Sequence, residues 1–312
     1  MARVDRAVGG RRGLGRGRQR GFEFADQRGQ HRRELGQSCT DFVLQLGVAQ
    51  GGFERPRDGI QLRGAESAGQ TLDRVGAAGG GDAVVVREFD LPTKTFVKDG
   101  FQLPEAKGSL TWRDRDSVYV ATDFGPGSMT TSGYPRIVKE WKRGTPLNAA
   151  RTVFEGQSAD VSASAAVSDR FGYRREFIRR GVTFFTSETY LRVGDKFTKL
   201  DLPDHANAGT WREFLTVTLR KDWTVGGKTF PAGAFMALSW DKFLAGNRDF
   251  ELIYTPGPRK SLAGVSTFAH RLVVNELDNV RSRLYVIARE GQAWKRTPLA
   301  APEFGQLSVR AI

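Results

Sequence analysis

The chain is short of the residues that most often carry chemistry. It has one cysteine, Cys39, which excludes an internal disulfide framework and any all-cysteine metal site. Its three histidines, His31, His205 and His270, lie far apart in sequence, whereas a metal centre needs three or four ligands together. No run approaches the ~20 apolar residues of a membrane helix. The basic N-terminus is not followed by an apolar core of ~7–15 residues, so no secretory signal is read, and the cytoplasm is the expected compartment. Lysine is missing until Lys94.

That last absence divides the chain. Residues 1–80 hold 14 arginines, nine acidic residues and 17 of the 37 glycines. We read residues 1–78 as an irregular or disordered Arg/Gly-rich segment and residues 79–312 as the folded part. The run Gly13-Leu14-Gly15-Arg16-Gly17 is followed by Arg18, so it does not complete a dinucleotide fingerprint, and no strand–turn–helix pattern surrounds it. Three readings of the segment stay open: an RGG-like arm for nucleic acid, a disordered tail, or GC-rich DNA translated out of frame. A short alternation at Phe42, Leu44 and Leu46 could form local structure. The net charge of +13 points toward nucleic acid only if it is concentrated on one face. Beyond residue 80 both signs are interleaved, which describes a solvated mixed surface, so no nucleic-acid partner is expected.

What is present in quantity is phenylalanine, 21 residues, and short β-branched or aromatic runs separated by polar corners. Strands are expected at residues 83–90, 95–97, 110–112, 117–122, 136–141, 163–167, 173–179, 183–187, 188–193, 196–200, 214–219, 235–240, 250–254, 266–268, 271–276, 284–288 and 293–295. Residues 241–245 could form a single helical turn. Strands at 8–12-residue spacing joined by tight turns mean a sandwich, barrel or propeller. A weak repeat favours the propeller. Arg192-Val193-Gly194-Asp195-Lys196-Phe197-Thr198 and Arg289-Glu290-Gly291-Gln292-Ala293-Trp294-Lys295 both read as the outer strand pair of a blade closed by a glycine turn. The expectation is an all-β chain, a partial β-propeller of about four blades whose first and last sheets would be left open, with marginal solubility as the consequence.

Longer runs carry a family likeness. Val86-Arg87-Glu88-Phe89-Asp90 and Phe101-Gln102-Leu103-Pro104-Glu105-Ala106-Lys107 are one part of it. Thr122-Asp123-Phe124-Gly125, Thr131-Ser132-Gly133-Tyr134-Pro135 and Trp141-Lys142-Arg143-Gly144-Thr145-Pro146-Leu147 are the rest. Together they resemble the N-terminal propeller of prolyl-oligopeptidase (S9) serine peptidases over about residues 79–312. The resemblance implies a seven-bladed propeller that caps an α/β-hydrolase domain, restricts access to oligopeptide substrates and itself holds none of the Ser-Asp-His triad. It implies that the chain stops before that hydrolase domain and is inactive alone. The alternative is a stand-alone β-propeller binding module without enzymatic activity.

Residue by residue, no catalytic, cofactor-binding or metal site is expected. Gly264-Val265-Ser266-Thr267-Phe268 lacks the final glycine and the following helix of a nucleophile elbow, and His270 is too near in sequence to be read as its base. His205 has only Asp204 beside it. Asp123-Phe124-Gly125 matches the kinase magnesium motif by letters alone; we expect Asp123 to cap local backbone and Gly125 and Gly127 to take positive φ. Trp112, Trp141, Trp211, Trp223, Trp240 and Trp294 are expected to pack between sheets. The run Arg174-Arg175-Glu176-Phe177-Ile178-Arg179-Arg180 reads as a charged strand edge that discourages pairing, or as a patch that steers peptides.

Overall fold

In a computed structural model of the chain, residues 82–301 are described throughout, together with the strand segments Val43–Gly47, Gln61–Leu62, Gln70–Gly76 and Gln306–Arg310. Cys39, His31, the Gly13–Arg18 run and the expected boundary at residue 78 lie outside the described residues.

Every sheet is antiparallel, and four of them are four-stranded meanders taken in chain order. Sheet II comprises Ser109–Asp114, Ser117–Ala121, Ile137–Lys142 and Arg151–Glu155. Sheet III comprises Ser162–Arg170, Tyr173–Gly181, Ser187–Val193 and Lys196–Lys199. Sheet IV comprises Ala206–Trp211, Phe214–Leu219, Phe235–Ser239 and Glu251–Tyr254. Sheet V comprises Lys260–Thr267, Arg271–Asp278, Arg281–Glu290 and Ala293–Leu299. These are the four propeller blades. Ahead of them, sheet I pairs Val84–Asp90 with Gln70–Gly76 on one side and with Thr95–Phe96 and Gln102–Ala106 on the other. The alternation at Phe42 to Leu46 corresponds to the strand Val43–Gly47, which pairs with Gln306–Arg310.

The blades stack because their middle strands are apolar on both faces. In Ser117–Ala121, Val118 and Val120 pack with Val86, Phe101 and Leu103 of sheet I. Tyr119 and Ala121, pointing the other way, pack with Ala163 and Ile178 of sheet III. Sheet IV repeats the division. Leu215, Val217 and Met236 join Leu191 of sheet III, while Phe214, Phe235 and Ala237 join Leu272, Val274 and Ile287 of sheet V. With period two, each middle strand supplies half of two cores. Burying each of the valine, leucine, isoleucine, methionine and phenylalanine side chains among these contributes ~1.5–3 kcal/mol, so the stacking of sheets, more than hydrogen bonding within any one of them, holds the array.

Several expectations need correction. A strand is expected over residues 183–187, but only Ser187 is in one; residues 183–186 form a corner in which the Thr183 hydroxyl accepts hydrogen bonds from the amides of Phe185 and Thr186 at 3.2 and 3.1 Å. A local side-chain acceptor has replaced a ladder partner. The arginine-rich strand Tyr173–Gly181 is not an edge; it pairs with Ser162–Arg170 and with Ser187–Val193. Strands Gln102–Ala106, Arg151–Glu155 and Ala206–Trp211 were missed, being interrupted by proline, largely exposed, or poor in β-branched residues. The expected helical turn is present as Trp240–Leu244.

One turn is strained. Asn279 and Val280 close the hairpin between Arg271–Asp278 and Arg281–Glu290 with φ of 48° and 61°. A β-branched residue in the left-handed region is an outlier, because its Cβ crowds the following carbonyl. Val280 is also 91% exposed, so no burial offsets the strain. Substituting Val280→Gly should therefore raise the unfolding free energy by about 1 kcal/mol. Urea titration monitored by tryptophan fluorescence checks this, and an unchanged or lower midpoint would contradict it.

Candidate functional site: charge pairs between the sheets

The polar residues that the fold gathers are buried carboxylates met by arginines from the next sheet. Glu88, in the middle of Val84–Asp90, has a fully buried carboxylate. Arg143, just past the third strand of sheet II, grips it with Nη1 and Nη2 at 2.9 and 3.0 Å, and the Phe101 amide donates to the same group at 2.9 Å. A Cβ on Gly100 would lie 2.7 Å from that carboxylate, so glycine is what lets the backbone close over it. Arg143 also lies over the Phe101 ring at 4.8 Å.

Between sheets II and III the same arrangement grows into a network. Arg192, near the end of the third strand of sheet III, donates to Glu140 at 3.3 Å and Glu176 at 3.5 Å, and to the Tyr119 hydroxyl. Arg113 donates to Glu140 at 3.0 Å and Glu176 at 3.3 Å. Arg151 and Arg174 complete the carboxylates at 2.7 and 2.9 Å, and Tyr119 donates to Glu176. Burial opposes ionisation of Glu140, but the hydrogen bond from Arg151 and the charges of Arg113 and Arg192 outweigh it and hold the carboxyl below its ordinary range. Glu176 is lowered against burial in the same way, by Tyr119, Arg174 and Arg113. The Tyr119 phenol is pushed up to about 12, first by burial and then by its bond to Glu176.

At the joint of sheets IV and V, Arg289 near the end of a third strand donates to Glu251, with Nη2 at 3.1 Å, and the Trp294 indole donates to the same carboxylate at 2.7 Å. Arg192 and Arg289 also share a local geometry. Each Nε donates to the carbonyl of the turn glycine, Gly194 or Gly291, at 3.0 or 3.2 Å. Each guanidinium lies over the aromatic that follows, Phe197 or Trp294, at 6.0 or 4.8 Å. The weak sequence repeat is thus a structural one. Sheet IV departs from it: Trp240 stands at the end of the third strand, and Arg175 of sheet III lies over its ring at 5.2 Å and donates to the Arg212 carbonyl at 2.7 Å.

Kept ionised by arginine, Glu140 and Glu176 are poor proton donors, and arginine stays charged. Of the cationic run 174–180, Arg174 and Arg175 are taken up as described. Arg180 clamps Asp160 with Nε and Nη2 at 2.8 and 2.9 Å. Arg179 is exposed and donates only to neutral acceptors, Ser187 and Asn207.

The remaining residues singled out in the sequence are dispersed. Ser266 donates to the Val309 carbonyl at 2.7 Å, while His270 faces Arg212 at 3.4 Å, so the two share no partner. His205 has Asp204 at 3.5 Å and a buried Nε2 without a hydrogen-bond partner. Among the described residues no three potential metal ligands come together. Asp123 does cap the loop, accepting from Gly125 N at 2.8 Å and the Ser128 hydroxyl at 3.0 Å, and Gly125 and Gly127 take φ of 103° and 79°. Four of the tryptophans, Trp112, Trp141, Trp211 and Trp240, are buried in the cores between or beside sheets. Trp223 and Trp294 pack against those cores.

Two expected outcomes follow from the network. Arg192→Met leaves Glu140 and Glu176 short of a cation in a site where both are buried, and should cost about 3 kcal/mol in denaturant unfolding; a loss below about 0.5 kcal/mol, the scale of an exposed pair, would show that the network contributes little. Because Glu140, Glu176, Glu188 and Asp160 all have lowered folded-state values, their contribution is complete above the ordinary carboxylate range and lost as pH falls through the depressed values. The melting temperature should hold above about pH 5 and fall below about pH 4.5, with a shallower fall in Glu176→Gln. A melting temperature that is flat to pH 3 would contradict this.

No protein-family profile matches the chain. It is 37% identical over 241 residues to an uncharacterized peptidase of Sinorhizobium fredii, covering 74% of this chain and 33% of that protein. It is 28% identical over 236 residues to an uncharacterized peptidase of Rickettsia prowazekii, again covering 33% of that protein. The chain therefore spans about a third of the length of the curated relatives it matches. Among solved structures, a post-proline cleaving enzyme from Rickettsia typhi superposes with a TM-score of 0.71 at 26% identity, over 78% of this chain and 38% of the enzyme. A prolyl endopeptidase superposes with a TM-score of 0.58 at 14% identity, over 78% of this chain and 37% of that one, which speaks to the fold alone. On sequence and fold together, the chain is similar to the propeller part of prolyl-oligopeptidase-type peptidases.

Proposed function

We propose that this chain is the non-catalytic propeller portion of a prolyl-oligopeptidase-like serine peptidase, and that it admits oligopeptides, including proline-containing ones, to an α/β-hydrolase domain. The observation that carries the reading is the double match, in sequence and in fold, to about a third of peptidases, in a chain whose described residues bring no nucleophile, base and acid together. Bond cleavage is then the work of the part of the relatives that this chain does not span. The propeller's contribution is a wall of sheets joined by buried ion pairs, stiff enough to exclude folded proteins while passing extended peptides.

The purified 312-residue chain should not release the chromophore from a Gly-Pro chromogenic peptide above the uncatalysed rate. Turnover that copurifies with the chain through two chromatographic steps would sink the proposal.

A further inference from the structure

Of the described phenylalanines, Phe184 and Phe185 are the most exposed, at 84% and 70%. Both sit in the corner at residues 182–186, between the second and third strands of sheet III. Their rings meet edge to face, with centroids 5.1 Å apart at 81°. The corner is not slack. The Val182 and Thr183 amides donate to the Thr186 carbonyl at 3.0 and 3.2 Å, the Thr183 hydroxyl accepts from the Phe185 and Thr186 amides, and the Thr183 and Thr186 hydroxyls are 2.7 Å apart. Arg220, reaching from the end of the second strand of sheet IV, donates to the Phe185 carbonyl at 3.1 Å. The backbone polar groups of the corner are thus largely spent internally, and what it offers outward is two fixed aromatic rings. Holding two rings in water in one orientation has a use where a partner covers them, since pre-set aromatics lose little freedom on binding.

Arg220 supplies the second observation. It is exposed, and its guanidinium takes part in none of the described ion pairs, unlike Arg143, Arg180, Arg192 and Arg289. A cation beside the rings and unmatched by a carboxylate of its own favours an anionic group on the partner. The pyrrolidine ring of proline, held in an extended left-handed helix, is the peptide element that docks on aromatic-lined surfaces.

We infer that this corner is a peptide subsite: the prolyl ring of an oligopeptide lies in the angle between Phe184 and Phe185, and a peptide carboxylate pairs with Arg220. This rests on the peptide-handling reading above and adds where and how the propeller makes contact. Phe184 and Phe185 enter none of the described cores, so substituting them leaves the fold's supports in place, while Arg220→Gln keeps an amide that can still donate to the Phe185 carbonyl.

The test is isothermal titration of the full chain with two octapeptides that differ only in one proline or alanine, each with a free or an amidated C-terminus. The wild-type chain should bind the proline peptide roughly fivefold more tightly than the alanine peptide, the scale of one aromatic contact. The double variant Phe184→Ser/Phe185→Ser should erase that preference, and Phe184→Tyr, which keeps the ring, should retain it. Amidation should weaken binding to the wild type but not to Arg220→Gln. An unchanged proline preference in the double variant overturns the subsite while leaving the peptide-handling reading intact. Failure of the wild-type chain to bind any of the four peptides at millimolar concentration overturns both.

Discussion

A carboxylate carried into the joint between two stacked sheets loses its water, and the loss is tolerable only if a cation arrives from the neighbouring sheet with matching geometry. That constraint recurs at the joints of this molecule. Arg143 reaches back to the buried Glu88 and Arg192 to the buried Glu140, and Arg289 reaches back in the same way to Glu251, which is only partly buried. Each arginine sits at or just past the end of a third strand, where the hairpin glycine turns the chain, and each reaches toward the sheet that precedes its own. Apolar stacking brings the sheets together without fixing their angle or register. A bidentate arginine grip specifies both, because the planar fork matches a carboxylate in few orientations.

The cores between sheets are made by period-two alternation on the middle strands, so sheets II, III and IV each depend on two neighbours. The charged groups lie at the same joints and are consumed there. Of the cationic run 174–180, Arg175 and Arg180 are half-buried in contacts of their own, whereas Arg174, though paired with Glu176, and Arg179 reach the surface, as does the corner that carries Phe184 and Phe185.

Much of the architecture was legible in advance. Val118 to Ala121 and Phe214 to Leu219 have β-branched or aromatic residues on both faces, and such strands announce themselves. The hairpins at Gly194 and Gly291 were visible as a repeat because arginine, glycine and an aromatic recur at one spacing. What could not be read was tertiary. Nothing local distinguishes Glu140 from an exposed glutamate; its burial is decided by Arg113 and Arg192, 27 and 52 residues away. Ala206–Trp211 has little β propensity and is a strand because Phe214–Leu219 pairs along it, with Gly209 opposite Thr216 where a Cβ would lie 2.8 Å from the hydroxyl. Residues 183–186 depart in the other direction, since their threonines and phenylalanines suit a strand and a hydroxyl cap turns them into a corner.

The account stands or falls on whether the arginine–carboxylate pairs couple the sheets. A double-mutant cycle on Glu88→Gln and Arg143→Met, read by chemical denaturation, isolates that coupling at the joint of sheets I and II. The account predicts an interaction free energy of at least about 1.5 kcal/mol, in the range of directly bonded buried neighbours. Additive losses, with a coupling within about 0.3 kcal/mol of zero, would mean that apolar stacking alone sets the joint and would contradict it.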